Sequence, residues 1–184
     1  DEEDEEDEKD EEDQAGEGEA KEAEDGECVY SADVVNDAVF DELSLHPDSV
    51  REVQAAWASF LRAAETSEAA GEALCAAIRD AAPTLQPLFT TPRAVFALKL
   101  VDAMTAMVQN LTDPPTLKQI VETIAFQHIQ IEVTGPRVVV FRDALTDLLR
   151  MELEDLFHDK VAAAFRALMN YVGGSIIYVR NNYS

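Results

Sequence analysis

Four proline-bearing helix starts set the frame into which this chain can fold. Each follows a short polar or glycine-containing step: His46-Pro47-Asp48, Thr91-Pro92, Asp113-Pro114-Pro115 and Thr134-Gly135-Pro136. Proline is tolerated in the first helical turn, where its missing N–H has no partner to lose, and Thr or Asp beside it caps the exposed donors. After each of these starts the apolar residues recur at steps of three and four. Val50, Val53, Ala56, Trp57, Phe60 and Leu61 follow the first. Val95, Phe96, Leu100, Ala103, Met104, Met107 and Val108 follow the second, up to about Leu111, and Leu117, Ile120, Val121, Ile124 and Ala125 follow the third. That spacing puts one apolar face on a helix. A further helix is expected from about Ser67 to Arg79, with Ala70, Leu74, Cys75 and Ile78 inward, ended by Ala82-Pro83. Two long helices close the chain, about Arg137–Asp155 and Asp159–Val179. No segment alternates long enough to demand a strand. The expected fold is all-α, with six or seven helices.

Charge divides the chain. Of its 184 residues, 1–27 hold 18 acidic and two basic side chains, a net of −16, with no aromatic residue and no Leu, Ile or Val. Such a stretch cannot bury enough apolar area to offset chain entropy, so it reads as a disordered acidic tail. Residues 28–46 read as a linker or a short amphipathic helix, on the loose spacing of Val29, Val34, Val35, Val39, Phe40 and Leu43. The remaining length suits one ordinary domain. The strong acidity argues against nucleic acid and anionic membranes as partners. Arg166 and Asn170 interrupt the last apolar run, against a membrane span. Two cysteines, Cys28 and Cys75, are too few for a stapled scaffold and point to a reducing, cytoplasmic setting. The chain opens on charge and lacks an initial Met, so no signal peptide is expected, and it reads as a fragment or processed piece.

Several residues stand out against the helical pattern. Gly173-Gly174 lies inside the last helix, where the pair costs about 2 kcal/mol relative to alanine, so close packing or a bend is expected there. His128 closes a helix whose inward positions, Ile120 and Ile124, are aliphatic. It is either a metal ligand or a partly exposed histidine favoured by the helix end. His46 and His158 sit at helix starts and read as surface residues. Asn110-Leu111-Thr112 matches a glycosylation acceptor by chance. The chain shows no Gly-rich phosphate loop, zinc-ligand spacing or nucleophile motif.

From Trp57 to Arg180 the residues resemble the globins, with single-domain bacterial and protist forms nearest in pattern. Val53-Gln54-Ala55-Ala56-Trp57 is similar to the first globin helix with its buried Trp. Pro83-Thr84-Leu85-Gln86-Pro87-Leu88-Phe89 resembles the short third helix with its haem-packing Phe. Gln109-Asn110-Leu111 closes a distal-like helix. Seventeen residues after Leu111 stands His128, in Phe126-Gln127-His128, where the family places its proximal histidine. The resemblance implies a globin-like domain over 47–184 that binds haem and reversibly holds a diatomic gas: oxygen, or NO or CO. His128 would ligate the iron. Phe89, Phe96, Lys99, Leu100, Ile124, Val133, Val138, Phe141 and Cys75 would surround the haem, with Lys99 toward a propionate or simply solvated.

This chain departs from the family pattern in ways that bear on chemistry. Phe96 falls where a distal His or Gln is usual, and Cys75 offers only a weak donor. The connection from Phe89 to Phe96 is several residues short, which lets Arg93 or Lys99 come closer. Val138 and Arg180 stand where bacterial globins carry a proximal Tyr–Glu relay, so peroxidase-like push is not indicated. The resemblance leaves two further readings. One is a haem-free globin-fold module acting as a structural or interaction domain. The other, nitric oxide dioxygenation, would need a reductase domain or partner, so an enzyme is not expected.

Overall fold

The computed structural model describes residues 30–184; the acidic tail and Cys28 lie outside the described residues. The described residues form six α-helices, α1 (Pro47–Ala64), α2 (Ser67–Ala81), α3 (Arg93–Gln109), α4 (Pro114–Gln127), α5 (Gly135–Leu153) and α6 (Asp159–Tyr183), and no strand. Short 3₁₀ segments, Pro83–Leu88, Asn110–Thr112 and Glu154–Phe157, join them.

Of the caps expected beside proline, Asp113 forms and Thr134 makes no side-chain capping bond, while His46 and Thr66 cap without having been read as caps. His46 Nδ1 accepts from the Asp48 N–H at 3.2 Å, and Thr66 Oγ1 from the Ala69 N–H at 3.1 Å. Asp113 Oδ1 accepts from the Thr116 N–H at 3.2 Å. Such caps contribute roughly 1 kcal/mol each. α3 begins one residue late, with Pro92 rather than Thr91 as its cap position and no side-chain capping bond. α5 stops at Leu153, two residues early, because Glu154 turns to a positive φ of 48°. α6 runs four residues past Val179, to Tyr183.

α3 packs chiefly on α2, and α4 and α5 pack on α6. Glycine makes the α2–α3 crossing close: a Cβ on Gly71 would lie 2.6 Å from the Ala97 carbonyl oxygen. α1 is tied to α3 by Trp57, whose indole N–H donates to Thr105 Oγ1 at 3.0 Å, so the ring is buried with its polar tip satisfied. The core is continuous through these helices, with Phe157 and Phe165 edge to face at 5.9 Å.

The segment read as a linker or short helix contains no helix over the described residues 30–46. It lies across α6 as a strap. Its apolar residues are not arranged for one helical face. Tyr30 and Leu43 are buried, and Tyr30 stands edge-on to Tyr171 at 4.6 Å. The Tyr30 hydroxyl accepts from the Asp41 N–H at 2.8 Å and so closes the strap on itself. The Gly173-Gly174 pair proves to be a close-packing device, since one glycine receives α5 and the other the strap. Arg93–Thr112 is the one helical stretch among the described residues long and apolar enough, by length and composition, to cross a membrane; it was not singled out from the sequence.

Candidate functional site

α4 ends at His128, and the end of a helix leaves carbonyls without intrahelical partners. The ring turns back onto one of them: His128 Nδ1 lies 2.7 Å from the Ile124 carbonyl oxygen. A carbonyl can only accept, so Nδ1 carries the proton. The lone pair of the neutral ring is then on Nε2, and the imidazole is fixed in orientation by its own helix. The other two histidines are placed differently. His46 caps α1, and His158 Nε2 lies 3.8 Å from Glu52 Oε2 on the surface. Among the described residues no cluster of three or more His, Cys, Asp or Glu is placed to hold a metal ion.

α3 and α4 carry paired stripes, that of α4 ending at His128. On α4, Leu117, Val121 and Ala125 are fully buried, while Ile120, Ile124 and His128, one face over, are half-buried. On α3, Ala97, Val101, Met104 and Val108 are fully buried, while Phe96, Leu100 and Ala103 are half-buried. The buried stripes meet the core. The half-buried apolar stripes lie beside them on two helices that touch each other only sparingly. Phe89, Leu100, Ile124, Val133 and Phe141 all pack on the edge of the one core cluster without being enclosed by it. Phe89, just after the Pro83–Leu88 turn, brings its ring to 4.6 Å from that of Phe96, tilted by 41°.

Three of the expected residues are not part of that half-buried set. Val138 is buried under α6, where a Cβ on Gly173 would come within 2.2 Å of its Cγ1. Lys99 is exposed on α3. Cys75 is a free, buried thiol on α2. Burial pushes its pKa above the ordinary value; the Glu72 carboxylate adds to that, and Arg93 and Arg79 oppose it. The thiol therefore stays protonated at neutral pH and is inert as a nucleophile. Arg93 pairs with Glu72 and so bridges the start of α3 to α2 at the surface.

Two features were not found by reading the sequence. The Nδ1–carbonyl bond needs the helix to end where it does. Arg142 and Asn170, read only as polar interruptions or not at all, are buried and bonded to each other at 3.0 Å. An Arg and an Asn 28 positions apart carry no pairing signal in sequence.

Comparison with known proteins bears on the same segment. A family model described as Globin matches residues 90–176, from just before α3 through most of α6. The Globin-2 A chain of Anadara inaequivalvis is 29% identical over 80 residues, which is 44% of this chain and 53% of that protein. The match thus spans about half the length of that curated relative.

Proposed function

We propose that this chain, similar to the globins through the segment that carries α3 to α6, binds haem at His128 and reversibly holds a diatomic gas. The observation that carries this reading is the 2.7 Å contact of His128 Nδ1 with the Ile124 carbonyl. It leaves Nε2 as a preoriented neutral donor, which is what an axial ligand requires. A single imidazole must share a metal with something that supplies the other donors, and a porphyrin does so. When bound, the haem supplies an iron with a coordination position open to a small gas.

The chain's own residues then define the surroundings. Ile124 and Val133 present aliphatic surface near the imidazole, and Leu100 and Phe141 present apolar surface from α3 and α5. The Phe89–Phe96 ring pair excludes water from the gas side. Cys75, protonated and weakly polar, is the one donor expected there. Gas that gains partial negative charge is held by hydrogen-bond donors. In this setting dioxygen is therefore expected to leave quickly, with carbon monoxide favoured by comparison. The reading is of a binder acting in a reducing, cytoplasmic setting, not of an enzyme; nitric oxide dioxygenation would need electrons from a reductase.

Titration of the reduced protein with hemin, followed by visible absorbance, tests the reading; uptake of one hemin per chain is expected. Phe96→His sharpens it. An imidazole in place of the ring should slow dioxygen release or alter the ferrous spectrum, and an unchanged spectrum would put position 96 outside the pocket. The Phe89–Phe96 contact also favours a second reading, since side chains already fill that space: a haem-free globin-fold module for protein interaction. Failure of the wild-type chain to take up hemin would select it.

A further inference from the structure

Residues 30–45 cross α6 on a seat built for backbone. Two adjacent glycines of α6 receive two different parts of the chain. A Cβ on Gly173 would come within 2.2 Å of Val138 Cγ1 at the start of α5, and a Cβ on Gly174 within 2.0 Å of the Asn36 carbonyl oxygen. The strap and the first turn of α5 therefore sit side by side on one turn of α6. One turn further along α5, Arg142 is 3% exposed and donates to the Ala32 carbonyl at 3.3 Å and to Asn170 Oδ1 at 3.0 Å. Asn170 in turn donates to the Ser31 carbonyl at 2.8 Å. Farther along the strap, Phe40 packs on Tyr171 and Tyr178 and lies 5.2 Å beneath the Lys118 ammonium of α4.

The strap thus grips the helices on either side of the proposed iron ligand. His128 caps the end of α4, and α5 starts only seven residues beyond it. Closure is not free of cost. Tyr171 is fully buried between Tyr30 and Phe40, and its hydroxyl has no partner among the described residues. A buried hydroxyl without a partner forfeits the bonds it makes to water. Opening the strap returns those bonds, so the closed and open forms are drawn together in free energy. Such a segment is suited to be a switch.

We infer that residues 30–45 form a releasable clasp that holds the start of α5 on α6, so that opening it changes the rate at which the domain releases its gas. The inference rests on the haem reading above, and the two fail separately. Arg142 and Asn170 act in it as positioning residues, through the strap's backbone.

Gly174→Ala in the full chain is the direct probe. Alanine suits a helix better than glycine, while its methyl group occupies the place of the Asn36 carbonyl. Tyr30→Ala is the second variant, which removes the strap's anchoring ring without touching a helix. Two readouts need no haem. A protease that cuts after acidic residues should cleave at Asp33, Asp37 or Asp41 about tenfold faster or more in both variants, as for a segment released from local protection. The ionisation of Tyr171, held back in the closed form by burial first and by Tyr30, Glu42 and Asp41 beside it, should return to the ordinary phenol range. After hemin loading, carbon monoxide release should change by about fivefold or more, the lower end of ordinary coupling between sites. Faster cleavage with unchanged gas release overturns the clasp and leaves the haem reading intact. Altered gas release without faster cleavage, or no effect on either, overturns it as well. A wild-type chain that takes up no hemin overturns both, although the cleavage measurement still reports whether the strap opens.

Discussion

α3 and α6 are both long helices rich in apolar residues, and they are treated oppositely by the fold. The stretch Arg93–Thr112 has the length and composition of a membrane span, yet only a third of its most apolar window is buried. α6 carries Arg166, Asn170, Ser175 and two glycines, and from Ala167 to Ile177 every residue is buried. The difference lies in partners. α6 is surrounded by α1, α4, α5 and the strap, whereas α3 leans on α2 and meets α1 and α4 only sparingly. Burial follows the number of neighbours rather than apolarity. On α3 an apolar stripe is left half-buried, and on α4 the half-buried stripe ends at His128.

The comparison can be broken at the imidazole first. His128→Ala should abolish stoichiometric hemin uptake, or leave only loose binding without a defined spectrum, while the helical circular dichroism of the hemin-free protein is unchanged. Apolar stripes alone hold a macrocycle without fixing its metal. Retained stoichiometric binding would move the ligand elsewhere.

Truncations on the two helices should separate in kind. Phe165→Ala on α6 empties an enclosed site and should cost about 3–5 kcal/mol in urea denaturation. Leu100→Ala on α3, where the side chain is half-exposed, should cost about 1 kcal/mol in the hemin-free protein and weaken hemin binding. Equal stability losses would mean that α3 is as enclosed as α6.

Alkaline pH probes the burial of α6 through Tyr171. Burial raises its pKa above the ordinary 10.0, with Tyr30, Glu42 and Asp41 adding to the shift, and Cys75 is likewise raised above 9.0. Below those values both groups are protonated whether the chain is folded or not, and their contribution is constant. Above them the unfolded chain gives up its protons while the folded chain holds them, so stability falls as pH rises. The urea midpoint should drop from pH 9 upward. Tyr171→Phe should flatten the upper part of that fall and, because the hydroxyl has no partner among the described residues, should cost little at neutral pH. An unchanged alkaline slope in Tyr171→Phe would show that the phenol is hydrated.

The smallest effect is expected from the charged leader. Deleting residues 1–27 should change stability by less than about 0.5 kcal/mol, as for segments without apolar contacts. A fall of several degrees in Tm would show that the leader docks.

The helix starts were legible because proline and its neighbours act locally, as Asp113 does in capping α4 within three residues of itself; His46 and Thr66 cap as well, but were not read so. The stripe on which His128 sits was legible too, from spacing alone. The strap was not. Its apolar residues follow no period, since they pack on Tyr171 and Tyr178, more than 130 positions away, instead of forming one face. Val138 shows the same limit within the site. The resemblance assigned it to the haem pocket, and no spacing could tell that it also packs against Gly173 of α6.

What the sequence determined by itself is therefore the set of helices, their polar and apolar faces, and a lone histidine at the end of α4, all set by interactions that reach three or four residues. Tertiary structure alone decided which apolar faces were closed and which were left half-open, because that depends on how many other segments arrive. Those arrivals hinge on single distant contacts: Ala97 on Gly71, Val138 on Gly173, Asn36 on Gly174. A glycine written in a sequence says only that a Cβ is missing, and the fold decides what comes to occupy its place.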